Sequence, residues 1–347
     1  DSEEDDAWLQ EKPPHPYVEG RTFTALRHTP PAPFGREYDT PLPPVQQNQE
    51  QLTQTEYCLL HRPLPGTTHY EDTLELEICL ELRTGSDCGA QVVVVNSNMV
   101  AKIFDPLYYR DLRNEGYLED VVSLADGDYS RETAAYAEVQ ESPQARQHTP
   151  KYYGSWTITV ETPLGPIGGQ HTQTRFREVR LILIEYLKGK KMANIKPRVL
   201  TSKLRRHMLV RVLEAAMLLD NAGVSHNDIH PRNILVIGND WAKLDFFIKF
   251  IDFNIASVQR LDMYRNYSYR TTCKMRARFP NKMFSPITYF WGGLGGFIAA
   301  GWLNHDGDEA NEWLWKRFHK DKRYFPLVRD EKQLTHTPKI VGWDELS

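Results

Sequence analysis

What this 347-residue chain has little of already narrows its function. Cysteine is confined to Cys58, Cys79, Cys88 and Cys273, without the paired spacing that zinc sites use, so thiols of a reducing compartment are expected. Cationic excess is missing as well. The 42 Lys and Arg against 46 Asp and Glu give a net charge of −4, which offers no case for general nucleic-acid binding. No apolar run reaches the ~18 residues needed to span a bilayer. The nearest, Ile287 to Leu303, is interrupted by five glycines and reads as buried helix and turn. The chain opens on Asp1-Ser2-Glu3-Glu4-Asp5-Asp6 without an initiator methionine, an opening compatible with a trimmed leader. An intracellular location, cytoplasmic or nuclear, is expected.

The length suits two domains or one bilobal domain, and 40% hydrophobic residues suffice for a sizeable core. Residues 1–66 stand apart, with 11 of the 22 prolines, including Pro13-Pro14, Pro30-Pro31-Ala32-Pro33, Pro41-Leu42-Pro43-Pro44 and Pro63-Leu64-Pro65. Proline removes backbone donors and favours extended chain, so a largely irregular arm is expected. It is either a disordered tail or an arm packed along the body through Trp8, Tyr17, Phe23, Phe34 and Tyr38.

From about Tyr70 the pattern becomes regular. Leu74 to Leu82 alternates apolar and mainly acidic residues, the period of a half-buried strand. Gly85-Ser86-Asp87-Cys88-Gly89 follows, then strands over Val92–Val95 and Met99–Phe104. Glycines such as Gly85 and Gly89 between antiparallel strands can lay backbone N–H groups over phosphates. Lys102 in an apolar strand is costly to bury alone, so a glutamate should face it. In the helical stretch 129–139, Glu132, Ala135, Tyr136 and Val139 share a face and Glu138 does not, which favours Glu132. Strands over Pro150–Val160 and Val179–Leu187, separated by a glycine- and proline-rich loop, bring the set to five strands and one helix.

An amphipathic helix is predicted over Thr201–Asn221, capped by Thr201 or Ser202 and stopped by Gly223. It delivers the stretch around which the chain is organised: His226-Asn227-Asp228-Ile229-His230-Pro231-Arg232-Asn233, an apolar run, a turn at Gly238–Lys243, a second apolar run and Asp252-Phe253-Asn254. Three oxygen-bearing side chains, Asp228, Asn233 and Asp252, thereby converge at one end of a hairpin. Hard cations want such oxygens, and a neighbouring carboxylate can take a hydroxyl proton. An isolated Asp-x4-Asn arises by chance about once in a chain this long, so the ordered set carries the weight.

This stretch resembles the catalytic and metal-binding loops of the protein-kinase-like phosphotransferases, whose order is His-x-Asp-x4-Asn, a hairpin, then Asp-Phe-Gly or a variant. The His-Pro after Asp228 looks more like the aminoglycoside and choline kinase branch, and like uncharacterised fungal kinase-like proteins. Lys102 in Val-Ala-Lys-Ile is similar to the strand bearing the phosphate-binding lysine. The resemblance implies an α+β, bilobal protein-kinase-like fold. Its parts would be a proline-rich arm over 1–66, a five-stranded antiparallel small lobe with one main helix over 67–188, and a shortened, mainly helical large lobe over 189–347.

It also implies the cofactors ATP and Mg2+. Asp228 would orient and deprotonate the acceptor hydroxyl, Asn233 and Asp252 would hold magnesium, and Lys102, supported by Glu132, would neutralise the α and β phosphates. Gly85 and Gly89 would cover the phosphates, and the backbone at Glu185 and Leu187 would meet adenine. His226 is expected to pack rather than carry protons; His230 and Arg232 would steady the loop or meet phosphate or substrate. Asn227 replaces the arginine that reads activation-loop phosphorylation, Asn254 stands where glycine or aspartate is usual, and no Ala-Pro-Glu follows. The 95 residues after Asp252 point to a reduced substrate-binding half.

The expected partner is a hydroxyl-bearing substrate, leaning to a small-molecule alcohol, with a protein Ser/Thr acceptor as the alternative. Seven cations over Arg260–Lys282 (Arg260, Arg265, Arg270, Lys274, Arg276, Arg278 and Lys282), interleaved with Tyr264, Tyr267 and Tyr269, fit either a solvated loop or an acidic or phosphorylated acceptor. Two other readings stand. A pseudokinase-type nucleotide-binding or interaction module follows from the reduced glycine turn and Asp-Phe-Asn. A non-haem iron oxygenase would use His226-x-Asp228 with His305 or His319.

Overall fold

The computed structural model describes residues 12–36, 38, 52–111, 121–164, 173–262, 266–304, 307–330 and 336–345. The expectations for Trp8, Pro41–Pro44, Tyr264, Arg265 and His305, and for the side chain of Tyr267, lie outside what is described. The chain divides into two compact units, 1–134 with 151–186 and 135–150 with 187–347. The division differs from the expected boundary at 188, because a helix and the turn after it pass from one unit to the other.

The first unit is α+β, built on an antiparallel sheet closed into a barrel. Its strands are β1 (Thr22–Thr29), β2 (Thr67–Arg83), β3 (Gln91–Val95), β4 (Met99–Phe104), β5 (Tyr152–Leu164) and β6 (Gln173–Glu185). Helix α1 (Gln54–Leu60) lies between β1 and β2 in sequence, and α2 (Val121–Gln140) lies between β4 and β5. The order around the barrel is β1-β2-β3-β4-β6-β5. It closes where Ala25, Leu26 and Arg27 pair with Ile158, Thr157 and Trp156. The alternation read in Leu74–Leu82 buries Leu76 and Ile78 and leaves the glutamates in water.

One expectation needs correction. The sheet has six strands rather than five, since the arm supplies β1, and it supplies α1 as well. The physical reason is where the prolines stop. They cluster at 13–16 and 30–33 and leave Tyr17–Thr29 free of proline, with β-branched Thr22, Thr24 and Thr29 in the strand. Helix α1 starts on a full capping box, in which Thr53 accepts from the Glu56 N–H and the Glu56 carboxylate accepts from the Thr53 N–H.

Tyr17, Tyr38 and Phe34 from this block are buried. Tyr17 Oη donates to Asp105 Oδ2 at 2.5 Å, and Arg177 holds both Asp105 oxygens while its Nε donates to Thr162. Burial opposes the charge on Arg177, but the Asp105 and Tyr17 oxygens outweigh it, and its proton is held more tightly than usual.

The second unit contains β7 (Lys190–Lys191), α3 (Ser202–Asn221), β8 (Val224–Ser225), β9 (Ile234–Asp240), β10 (Asp245–Phe250) and β11 (Ser257–Val258). It continues with α4 (Asn266–Arg278), α5 (Pro286–Phe290), α6 (Gly295–Ala299), α7 (Gly307–Phe318), β12 (Leu327–Val328) and β13 (Lys339–Ile340). Helix α3 is capped by Thr201, whose Oγ1 accepts from the Leu204 N–H, and buries Met208, Leu209, Val212, Leu213, Ala216 and Leu219. Gly223 ends it at φ +88°, a left-handed conformation open to glycine. The segment 135–150 belongs here because His148 Nδ1 donates to the Ile248 carbonyl and Lys249 donates to that of Thr149. Arg329 lies over the rings of both Trp291 and Trp315, so part of the aromatic C-terminal region packs around a cation.

Inside the barrel unit His28 is buried with Nδ1 2.6 Å from Tyr129 Oη. Burial first, then the Arg180 and His69 charges, lower its pKa to about 4. The folded chain therefore keeps His28 neutral in a range where the unfolded chain protonates it. Between about pH 6.5 and 4 the unfolded state binds more protons, so this contribution to stability is lost as pH falls. Urea midpoints at pH 7 and pH 4.5 should differ less in His28→Asn than in the parent; equal differences would remove His28 from the account.

Candidate functional site

The predicted residues fall into two constellations, one in each unit. In the first, Lys102 on β4 and Glu132 on α2 form a buried ion pair with Nζ–Oε2 of 2.5 Å, the lysine 6% and the glutamate 0% exposed. The register places Lys102 between Val92 of β3 and Ile182 of β6. Glu138, six residues further along α2 and itself part of the second unit, instead accepts from the Arg260 guanidinium of that same unit. A polar layer continues from Glu132 through Thr133 Oγ1 to Ser155 Oγ at 3.1 Å and on to Tyr152 Oη at 2.7 Å.

The turn after β2 is closed on itself. Gly85 N–H donates to Gln91 Oε1, and Gln91 Nε2 donates to the carbonyls of Gly85 and Gly89. Asp87 in the same turn pairs with Lys12. One of the donors expected to cover phosphate is therefore engaged by Gln91. That residue is fully buried and was missed by sequence reasoning; its only signal is an amide opening the apolar run Val92–Val95. At the expected hinge, Glu185 N–H donates to the Lys151 carbonyl and is engaged. Leu187 C=O accepts from Gly189, and its own N–H has no partner among the described residues.

The second constellation is the loop after α3. Strand β8 pairs with β11, and Asn227 takes φ +60°, with Nδ2 donating to the Ile255 carbonyl and to Ser257 Oγ. A short 3-10 turn, Pro231–Asn233, opens with proline where no donor is needed. Asn233 Nδ2 then donates to the Asp228 carbonyl at 3.1 Å and to Asp228 Oδ2 at 2.7 Å. These bonds fix the amide orientation and turn Asn233 Oδ1 away from the Asp228 carboxylate. Ile251 N–H donates to the Asn233 carbonyl, so Asp252 emerges beside Asn233 at the paired ends of β9 and β10. Asp252 sits at φ +69°, a strained conformation that aspartate tolerates better than most residues.

Arg232, which is 58% exposed, reaches back to both oxygens of Asp228 at 2.8 Å. With Asn233 on Oδ2, the Asp228 carboxylate keeps its remaining acceptor capacity on Oδ1. His226 is buried between Phe253 and Phe250, with Nε2 donating to the Ile251 carbonyl and Nδ1 accepting from the Asp228 N–H. Burial lowers its pKa, so it is a neutral packing residue. The same bonds correct the iron reading, since neither His226 nitrogen is left for a metal; His319 stacks on Trp315 and bonds to the Trp315 carbonyl.

In the Arg260–Lys282 stretch several cations are engaged within the chain. Arg260 holds Glu138, Arg276 the Asp220 carbonyl, Arg278 Glu345, and Lys282 the carbonyls of Lys322 and Tyr324. Most of its positive charge serves internal contacts.

No known family profile matches the chain. Among curated proteins, serine/threonine-protein kinase KSP1 of Saccharomyces cerevisiae is 35% identical over 60 residues, which make up 17% of this chain and 5% of KSP1. The chain thus spans a small fraction of that relative. Among solved structures, the 2.2 Å crystal structure of WbdD aligns with a TM-score of 0.34 and 13% identity, over 58% of this chain and 38% of its own.

A charge pair this deeply buried gives a direct test. Glu132→Ala takes the buried carboxylate away from the Lys102 ammonium and should cost about 3–5 kcal/mol, whereas Lys102→Met with Glu132→Leu should recover most of it. Urea unfolding of both variants checks this, and equal losses would mean that the pair does not govern stability.

Proposed function

We propose that the chain is an ATP- and magnesium-dependent phosphotransferase, on a bilobal kinase-like fold, that moves a γ-phosphoryl group to a hydroxyl acceptor. The observation that carries the reading is the bonding of Asn233. Its amide is turned by Asp228 so that an oxygen faces away from the carboxylate, and its carbonyl holds the strand that delivers Asp252. The buried Lys102–Glu132 pair and the antiparallel order β2-β3-β4-β6-β5, with the lysine on the middle strand, support it. So does the short similarity to a serine/threonine kinase.

Asn233 Oδ1 and the Asp252 carboxylate are hard donors of the kind magnesium takes, and they would hold it. When bound, the ion would supply charge neutralisation at the transferring phosphoryl group. In the proposed reaction the acceptor O–H gives its proton to Asp228 Oδ1 while the acceptor oxygen bonds to the γ-phosphorus. The bond from that phosphorus to the β–γ bridging oxygen breaks, and ADP leaves. Arg232 and Asn233 hold the Asp228 carboxylate in place for this transfer. The acceptor class leans to a small-molecule alcohol, on the Asp228-Ile229-His230-Pro231 loop; a protein Ser/Thr acceptor belongs in the same screen.

Thermal shift with ATP, with and without magnesium, is the test. Ligand at ~100 times the dissociation constant should stabilise by about 2.7 kcal/mol. Asp252→Ala should abolish the magnesium-dependent rise. Asp228→Asn should keep it and lose transfer by roughly 10²-fold or more. Turnover by both variants at the parent rate would refute the assignment.

A second reading, a nucleotide-binding or interaction module, rests on two observations: the Arg232 clamp on Asp228 and the Gly85 N–H engaged by Gln91. If the clamp blocks the base, Arg232→Ala should raise phosphotransfer. If it positions the base, the same variant should lower the rate and leave nucleotide affinity unchanged.

A further inference from the structure

Between Leu187 and Leu213 the chain carries nine lysines and arginines and no aspartate or glutamate, in a protein of net charge −4. They are Lys188, Lys190, Lys191, Lys196, Arg198, Lys203, Arg205, Arg206 and Arg211. All but Arg205 are exposed, and none enters an ion pair among the described residues. This is the reverse of the Arg260–Lys282 stretch, whose cations are largely engaged.

The charge is densest around the 3-10 turn Pro197–Val199 and the first turns of α3. A helix start carries partial positive charge and usually attracts acidic side chains. The first turn of α3 has none, and Lys203, Arg205 and Arg206 add three cations to that end. No ion pair neutralises them among the described residues, so a bound anion would relieve the repulsion.

The same place holds a cleft of about 670 Å3, lined by Arg198, Arg205, Gly301 and Asn304 on its polar side and by Ile298 and Leu303 on its apolar side. Arg205 is fixed by neutral acceptors, with Nη1 donating to the Gly301 carbonyl and Asn304 Oδ1, each at 3.3 Å, and Nη2 to Ser202 Oγ at 3.2 Å. Its Nε is buried and has no partner. Arg198 has no partner either among the described residues. Two guanidiniums with unused planar donors match the oxygens of a phosphate. The stretch 187–213 has no Phe, Tyr or Trp on which bases could stack, which favours a discrete phosphate over a nucleic acid. The cleft also adjoins the Asp228 loop. Helix α6 lines it with Ile298 and Ala299, while a Cβ on Gly296 of the same helix would stand 2.7 Å from His230 Cδ2.

We propose that this cleft is a binding site for a phosphate-bearing ligand, a phosphomonoester held by Arg198 and Arg205. The site does not depend on the phosphotransferase reading. It is tested on the full chain by thermal shift with inorganic phosphate and with glycerol phosphate, against sodium chloride of equal ionic strength. Co-sedimentation with phosphatidylcholine vesicles, with and without phosphatidic acid, forms the second arm.

A saturable, phosphate-specific rise in Tm is expected. Arg198→Gln, which breaks no hydrogen bond or ion pair among the described residues, should weaken it about tenfold, the loss of one charge-assisted bond, and Arg270→Gln should leave it unchanged. The rise should persist in Asp252→Ala, which separates this cleft from the nucleotide site. Phosphatidic-acid-dependent sedimentation lost in Arg198→Gln would assign the phosphate to a lipid headgroup; a response to the soluble probes alone would assign it to a soluble ester. Equal effects of chloride and phosphate, or an affinity untouched by Arg198→Gln, would overturn the site.

Discussion

A lysine ammonium and a glutamate carboxylate, both removed from water, set the terms for the first unit. Each alone would cost several kcal/mol to bury, so Lys102 and Glu132 must meet with good geometry or not be buried at all. That requirement ties α2 to the face of β4 and fixes which side of the barrel the lysine occupies. The Phe104 ring lies 5.7 Å from the ammonium, and Thr133, Ser155 and Tyr152 extend the polar layer from there. The carboxylate holds the cation at one position on the strand.

Legibility in the sequence followed from how local the governing physics was. The period of 2 in Leu74–Leu82 and the 3.6 period over 201–221 were visible because burial of one face is a local pattern. The facing of Lys102 by Glu132 followed from helical phase alone. Three things were not visible. Strand β1 was masked by surrounding prolines, whose influence does not reach into Thr22–Thr29. The engagement of Gly85 by Gln91 depends on a turn folding back on a side chain six residues away. The hold of Arg232 on Asp228 needs the 3-10 turn at Pro231, which turns an i+4 neighbour back toward the carboxylate.

The two basic stretches show the difference between charge density and available charge. Seven cations within Arg260–Lys282 drew attention by their crowding, yet most of those described serve the fold by binding Glu138, Glu345 and main-chain carbonyls. The cations over Lys188–Arg211 are at least as crowded, and their distinguishing feature is the absence of any carboxylate among them. A surface potential depends on what remains uncompensated.

Closure of the barrel has a consequence for the integrity of the chain. A sheet edge is a row of unpaired donors and acceptors that invites another strand. Here β1 joins β2 to β5, so the sheet has no such row on either side. The strand that removes both edges comes from the proline-rich block and is separated by 37 residues, Pro30 to Gly66, from the strand that follows it. Proteolytic loss of that block would do more than shorten the chain: it would uncover β2 and β5 together and turn a self-contained barrel into an open template for other polypeptides.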